Sequence, residues 1–179
     1  AEGRNIMHME VGQPSTKAPK KVLQAAEEAL HGNLLGYTDS LGIPPLRESI
    51  ASHYKHKYGV TVDSSRVIVT TGSSSAFMFA FLGLFDAADR VGLCGTGYPC
   101  YRNLMSATNL EYVSIPVNDD YKVTAKELQD AIDRGKELGE APLKGLIMSS
   151  PGNPTGAMLT PEELKDLCET CEKNDITFI

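Results

Sequence analysis

The spacing of hydrophobic and polar positions predicts two helices in the first third of the chain. One begins after Pro19 and ends at Gly32, and its apolar residues recur at the spacing of one helix face: Val22, Ala26, Ala29 and Leu30. The second begins at Pro44 and Pro45 and ends at Gly59, with three residues expected in the core: Leu46, Ile50 and Tyr54. Both helices stop at a glycine, which readily adopts the left-handed conformation that closes many helices.

Short apolar runs separated by helical segments predict strands farther along the chain. The expected strands are residues 67–70, 91–94, 112–117, 145–148 and 176–179. Helices are expected at 74–85, at 101–108 and after two capping boxes, Thr124 with Glu127 and Thr160 with Glu163. Strands that alternate with helices of this length are joined by crossover connections. The pattern therefore predicts an α/β fold with a mainly parallel sheet and helices on both faces.

Charge and composition argue against several classes of protein. The 179 residues carry a net charge of −6 and scattered Lys and Arg, without the basic stripe of a nucleic-acid-binding protein. The uncharged stretch between Arg66 and Asp86 contains the polar run 70–75, which does not suit a membrane-spanning helix. The start of the chain has no apolar signal segment. We therefore predict a cytoplasmic protein with neither a nucleic-acid nor a membrane partner.

Neither end of the chain has the features of a natural terminus. The chain does not begin with Met, and it stops inside the apolar run 176–179 with no turn after it. We therefore expect this sequence to be part of a longer protein.

Two of the four cysteines, Cys168 and Cys171, form a CxxC pair, which can indicate a metal site or redox chemistry. The sequence has no second CxxC, and all four histidines lie before residue 57. The two cysteines share a helical stripe with Leu164 and Leu167, and free cysteine behaves as a small hydrophobic residue. We therefore expect buried thiols and no metal site.

Candidate chemistry lies in three loops at the expected carboxyl ends of strands, where parallel α/β sheets bind their ligands. In the first, the 70–75 loop, Gly72 permits a tight turn, and serines occupy the start of a helix. Free backbone N–H groups and the helix dipole at such a position suit a phosphate dianion. A serine-rich cap that merely starts the helix explains the same residues.

The second, the 95–101 loop, follows another predicted strand. Gly95 and Gly97 let the backbone approach a ligand closely, and Tyr98 can lie flat against an aromatic ring. The loop is not the dinucleotide fingerprint, because Tyr, Pro and Cys follow Gly97 where a third glycine is required. A turn with a packing tyrosine is the alternative.

The third, the 149–156 loop, is the most specific signal in the chain. Its two prolines and two glycines favour one rigid conformation, which can include a cis X-Pro bond. Such rigidity suits a loop that aims the amide of Asn153. The loop is not a Walker phosphate loop, because Ala157 stands where a lysine would follow the glycine.

Taken in order, these segments resemble the fold-type I enzymes that use pyridoxal phosphate (PLP), within the class I/II aminotransferase family. The matching segments are residues 9–14 (MEVGQP), 36–47 (GYTDSLGIPPLR), 69–73 (VTTGS), 98–99 (YP) and 150–156 (SPGNPTG). The resemblance implies the N-terminal half of a PLP-dependent aminotransferase that acts on an amino acid and a 2-oxo acid. It assigns residues 1–36 to an N-terminal arm and first helix of a small domain. Residues 37–179 would form the N-terminal half of the large PLP-binding domain.

The resemblance also implies roles for individual residues. Ser73 and Ser74 would hold the cofactor phosphate, Tyr98 would stack on the pyridine ring, and Asn153 would donate to the ring's phenolic oxygen.

Two further residues, Tyr37 and Gly12, would complete the site in a homodimer with shared active sites. Tyr37 would reach the cofactor phosphate of the neighbouring subunit, and Gly12 would lie near the substrate α-carboxylate. Ordinary packing and turn formation are the alternatives for both. Thr96 departs from the family's usual proline, which leaves the subfamily open.

The family's catalytic residues are implied to lie beyond Ile179. They are the aspartate that pairs with the pyridine nitrogen, the Schiff-base lysine and the carboxylate-binding arginine. Without them, this stretch alone is not expected to transaminate. A PLP-dependent lyase or decarboxylase on the same scaffold, or an effector-sensing domain of a transcription regulator, are the alternatives.

Overall fold

A computed structural model describes residues 3, 7, 12–32 and 35–179 as six α-helices and four β-strands; residues 9–11 of the opening motif lie outside these ranges. The helices are α1 (Lys20–Gly32), α2 (Pro44–Tyr58), α3 (Ser73–Leu84), α4 (Pro99–Ala107), α5 (Ala125–Glu137) and α6 (Pro161–Lys173). The strands are β1 (Arg90–Cys94), β2 (Glu111–Ile115), β3 (Leu143–Ile147) and β4 (Thr177–Phe178). A short 3-10 turn, Ser64–Arg66, lies between α2 and α3.

The four strands form one parallel sheet in the order β2-β1-β3-β4. Neighbouring residues of β3 point to opposite faces, so Leu146 and Ile147 belong to two different hydrophobic cores. One core includes Phe81 of α3 and Met105 of α4, and the other includes Leu128 of α5 with buried residues of α6. The predicted α/β fold, with a parallel sheet and helices on both faces, is therefore confirmed.

Both predicted capping boxes are present. The backbone N–H of Thr124 donates to the Glu127 carboxylate at 3.0 Å, and α5 follows directly. At the start of α6, Thr160 N–H donates to Glu163 at 2.8 Å, and Glu163 N–H donates back to the Thr160 hydroxyl at 3.1 Å. The N–H groups that a helix leaves unpaired at its start are thus satisfied locally. The predicted stop at Gly59 is also confirmed, with a φ of 71°.

The predicted strand at residues 67–70 is wrong, because this extended segment has no partner strand among the described residues. The expected burial of Leu46, Ile50 and Tyr54 in α2 is likewise not observed. The apolar face of α1 is also exposed. Helical spacing identifies a face suited to burial. In the described ranges nothing covers these two faces.

The two cysteines of the CxxC pair differ in their surroundings. Cys171 is buried in the core beneath α6, whereas Cys168 is exposed, so the expectation of two buried thiols is wrong for Cys168. Residues 12–32 and 35–179 contain no helix long and apolar enough to cross a membrane.

Candidate cofactor site

The 70–75 loop leads into α3 through Gly72, which adopts a φ of +90° that L side chains rarely tolerate. No side chain caps α3, and its first backbone hydrogen bond runs from Ala76 N–H to Gly72 C=O at 3.4 Å. The N–H groups of Ser73 and Ser74 lie before that bond and have no partner inside the helix. Both serines are exposed, so these donors and their hydroxyls face a space that an anion can enter.

The 95–101 loop turns tightly between β1 and α4. Gly97 N–H donates to Cys94 C=O at 2.8 Å, and a Cβ on Gly97 would lie 2.9 Å from that same oxygen. Glycine is therefore required for this turn. Tyr98 follows immediately and remains 46% exposed, with its ring edge-to-face against Tyr101 at a centroid distance of 5.7 Å. A large part of the Tyr98 ring is thus available to a ligand.

The 149–156 loop is held by hydrogen bonds within itself and to the next residue, Ala157. Gly152 N–H donates to Ala157 C=O at 2.8 Å, and Gly156 N–H donates to Gly152 C=O at 2.7 Å. Both X-Pro bonds, Ser150–Pro151 and Asn153–Pro154, are cis. The Asn153 side chain is exposed, and its amide has no hydrogen-bond partner among the described residues. The rigid loop therefore presents a free amide at the edge of the sheet.

One side-chain contact and one shared cleft link the three loops. The Ser74 hydroxyl lies 3.4 Å from the Cys100 thiol, which joins the first loop to the second. Asn153 lines one cleft of about 30 Å³ with Thr96 and Gly97, which joins the second loop to the third. This volume is far below that of a typical ligand pocket. The loops thus form the floor of a site whose other walls the described residues do not supply.

Of the predicted site residues, Asn153 alone lines this cleft. Ser73, Ser74 and Tyr98 lie on the adjoining loops outside its lining, and Gly12 and Tyr37 do not line it either. Apart from its own atoms and those of its two chain neighbours, Gly12 has no atom of the described chain within 4 Å of the position that a Cβ would take. The Tyr37 side chain is fully exposed. Their predicted roles depend on groups that the described residues do not include.

Residues that the sequence did not single out also shape the cleft. Tyr101 packs on Phe77 with ring centroids 4.6 Å apart, and burial raises the pKa of Tyr101 above its ordinary value, so the phenol stays protonated. Lys122 also lines the cleft, but its ammonium group is paired with both carboxylate oxygens of Glu163, at 3.1 and 3.2 Å. Tyr101 ends the 95–101 loop, but no pattern in the sequence gave it a role, and nothing in the sequence pointed to Lys122.

The fold and these loops define an α/β protein with a candidate ligand site at the carboxyl edge of a parallel sheet. Residues 4–179 match the family model described as aminotransferase class I and II. The chain is 43% identical to valine–pyruvate aminotransferase of Mycobacterium tuberculosis (strain ATCC 25618 / H37Rv), over 98% of this chain and 44% of that enzyme. It is 32% identical to (5-formylfuran-3-yl)methyl phosphate transaminase of Methanocaldococcus jannaschii, over 90% of this chain and 40% of that one.

A solved structure shows the same similarity in three dimensions. The crystal structure of an aminotransferase from Mycobacterium tuberculosis matches with a TM-score of 0.86 and 45% identity. That match covers 94% of this chain and 42% of the crystallised one. The chain therefore belongs to the class I and II aminotransferase family. It spans less than half the length of these relatives.

Proposed function

We propose that the whole protein is a PLP-dependent aminotransferase of which this chain forms the N-terminal half. The observation that carries the proposal is the meeting of three ligand-competent loops at one sheet edge, in a member of this family. When bound, PLP supplies an electron sink that allows an amino group to pass between an amino acid and a 2-oxo acid. Residues 37–179 would belong to the large PLP-binding domain, and residues 1–36 to a small domain and its arm.

The residues of the three loops fit PLP chemically. The free N–H groups and hydroxyls of Ser73 and Ser74 would bind the phosphate dianion, helped by the dipole of α3. The exposed ring of Tyr98 would pack on the pyridine ring. The free amide of Asn153 would donate to the phenolic oxygen and so favour its deprotonated form.

Amino-group transfer by the full-length protein tests the proposal. Valine and pyruvate are the first donor and acceptor to try, since they appear in the name of the Mycobacterium relative. With both substrates present, the amino group of valine is expected to pass to pyruvate, giving the 2-oxo acid of valine and alanine. Release of ammonia or carbon dioxide without a 2-oxo acid would indicate a lyase or decarboxylase instead. A well-folded full-length protein that retains no PLP would refute the proposal.

The role of Asn153 has a separate spectroscopic test. Asn153→Ala in the full-length holoenzyme is expected to move the pH midpoint of the cofactor's absorbance change upward, because the phenolate loses a donor. Asn103→Ala removes the same amide from an exposed position on α4 and is the matched control. Equal midpoints in wild type and both variants would contradict the assigned contact.

We also propose a homodimer in which Tyr37 of one subunit completes the site of the other. The Tyr37 side chain is fully exposed, so its ring is available to another molecule. Mixed dimers of Tyr37→Phe and Asn153→Ala subunits would test this arrangement. If sites are shared, half of the sites in a mixed dimer carry neither substitution, and activity should exceed that of both parents. Activity no higher than the mean of the two parents would exclude sharing. The cytoplasmic location and the role of Gly12 stay predictions.

A further inference from the structure

We propose that Arg47 and Gly42 are positioning residues for the phosphate-binding 70–75 loop. The inference rests on the proposed function, because it requires that loop to hold the cofactor phosphate. Neither residue lines the cleft, and both lie at the N-terminal end of α2 or just before it. Their effect would therefore pass through the segment 64–69, which precedes the loop.

Among the described residues, the segment 67–70 pairs with no strand of the sheet, and its long-range hydrogen bonds are with residues 41–47. Ile68, in its middle, is 59% exposed, so burial does little to hold it there. In a paired strand, a ladder of hydrogen bonds would set the position of the following loop. Within the part of the chain that the structure describes, Arg47 and the turn at Leu41 and Gly42 make the contacts that hold this segment.

Arg47 supplies the strongest of these contacts. Its Nε donates to Val67 C=O at 2.9 Å and to Ser64 C=O at 3.1 Å, and its Nη2 donates to Ser64 C=O at 2.8 Å. The two carbonyls belong to the first residue of the 3-10 turn and the residue that caps its end. One planar guanidinium thus fixes both ends of the turn, with hydrogen bonds strengthened by its positive charge.

Gly42 supplies the second support by letting two backbones approach. Val69 N–H donates to Leu41 C=O at 3.0 Å. A Cβ on Gly42 would lie 2.6 Å from Cγ2 of Val69, and the φ of Gly42 is +96°. Any larger residue at this position would push Val69 away and lengthen that hydrogen bond.

Val69 is linked through the turn at residues 70–72 to the N–H groups that would donate hydrogen bonds to the phosphate. The next residue, Thr70, donates from its hydroxyl to Gly72 C=O at 2.8 Å, and Gly72 N–H donates to Thr70 C=O at 2.9 Å. The free N–H group of Ser73 comes directly after this turn. A shift of Val69 would therefore be transmitted to the donors, and hydrogen bonds weaken steeply when their distance and angle change.

Comparing the binding of two ligands, one with and one without a phosphate, tests this role. The ligands are PLP and pyridoxal, which lacks the phosphate, and their dissociation constants are measured by titrating the full-length apoprotein. Arg47→Gln is expected to weaken PLP binding by about 10-fold while changing pyridoxal binding by less than about 2-fold. The matched control is Arg66→Gln, which removes the same charge from an exposed position in the same segment and should change neither constant.

Each outcome bears on the inference. Unchanged PLP binding in Arg47→Gln, or equal losses for PLP and pyridoxal, would overturn the positioning role. If thermal unfolding shows that Arg47→Gln does not fold, Gly42→Ala carries the test, because it displaces Val69 and keeps the charge of Arg47. The same selective loss of PLP is then expected, and an unchanged ratio of the two constants would overturn the inference. Wild-type protein that binds no PLP would refute the proposed function itself, a result distinct from all of these.

Discussion

The substitution Gly145→Ala tests how closely Phe85, the residue after α3, packs on β3. A Cβ built on this β3 residue overlaps the Cζ atom of the Phe85 ring and lies 2.7 Å from its Cε1 and 3.1 Å from Cγ1 of Val91. The ring cannot easily move away, because it also packs against Phe81 at a centroid distance of 6.4 Å. Gly145→Ala should therefore force the strand and the helix end apart.

The expected cost follows from two opposing effects. Overpacking of a core by one methyl group costs about 1–3 kcal/mol. Replacing glycine by alanine also lowers the conformational entropy of the unfolded chain, which stabilises the folded protein by about 0.4–1 kcal/mol. Because the overlap is severe, we expect the free energy of unfolding to fall by about 1–2 kcal/mol.

A double-mutant cycle in the full-length protein, followed by urea unfolding and circular dichroism, isolates this contact. Phe85→Leu removes the ring atoms that the methyl group meets, so the double variant should recover about 1 kcal/mol relative to the sum of the single changes. Gly83→Ala is the matched control, since no atom of the described residues outside its own helix backbone and its chain neighbours lies within 4 Å of the Cβ position, and the change should stabilise α3. Additive effects, or a wild-type unfolding midpoint for Gly145→Ala, would refute the reasoning.

Two further predictions concern α6. The Thr160 backbone and, next, Lys122 hold the pKa of Glu163 below its ordinary value of 4.5. Its contribution to stability is therefore present above that pH and is lost as the pH falls through the lowered pKa. Glu163→Gln removes the charge but keeps an oxygen that can accept the hydrogen bond of the cap. The difference in urea midpoint between wild type and this variant should be constant above pH 4.5 and shrink below it. A difference that does not depend on pH would contradict this prediction. Under iodoacetamide at neutral pH, mass spectrometry should find Cys168 labelled and Cys171 protected, because burial raises the pKa of the Cys171 thiol to about 11; equal labelling would contradict it.

The elements that could be predicted from the sequence are those whose signals are local. The Thr124 and Thr160 capping boxes satisfy N–H groups within four residues, so they mark the starts of α5 and α6 wherever those helices pack. The apolar runs that became β1, β2 and β3 are short, rich in apolar residues and bounded by polar or turn residues. Their alternation with helices was enough to predict the parallel sheet.

The predictions that failed depend on distant parts of the molecule. A strand at residues 67–70 requires a partner strand, and the burial of Leu46 and Tyr54 requires a surface to cover them. Periodicity reports neither. Cys168 shows the same limit, because it and Leu164 are exposed although they share a helical stripe with the buried Leu167 and Cys171.

The site was predictable in location but not in its supports. Strand-end loops could be found from glycine, proline and serine patterns, because those residues act on their own backbone. The hydrogen bonds from Arg47 to Ser64 and Val67 span 17 and 20 residues, and no local pattern indicates them. Gly42 likewise looks like a turn glycine in the sequence, whereas its close approach to Val69 appears only in three dimensions.

The position of the cleft follows from the order of the strands. The connection from β1 runs through α4 to β2 on one side, and the connection from β3 runs through α6 to β4 on the other. Right-handed crossovers in opposite directions place α4 and α6 on opposite faces of the sheet, as the two separate cores show. The loops after β1 and β3 must therefore diverge, and the crevice between them is where Gly97 and Asn153 meet. Strand order thus accounts for a ligand site at this edge, and the side chains there determine which ligand it takes.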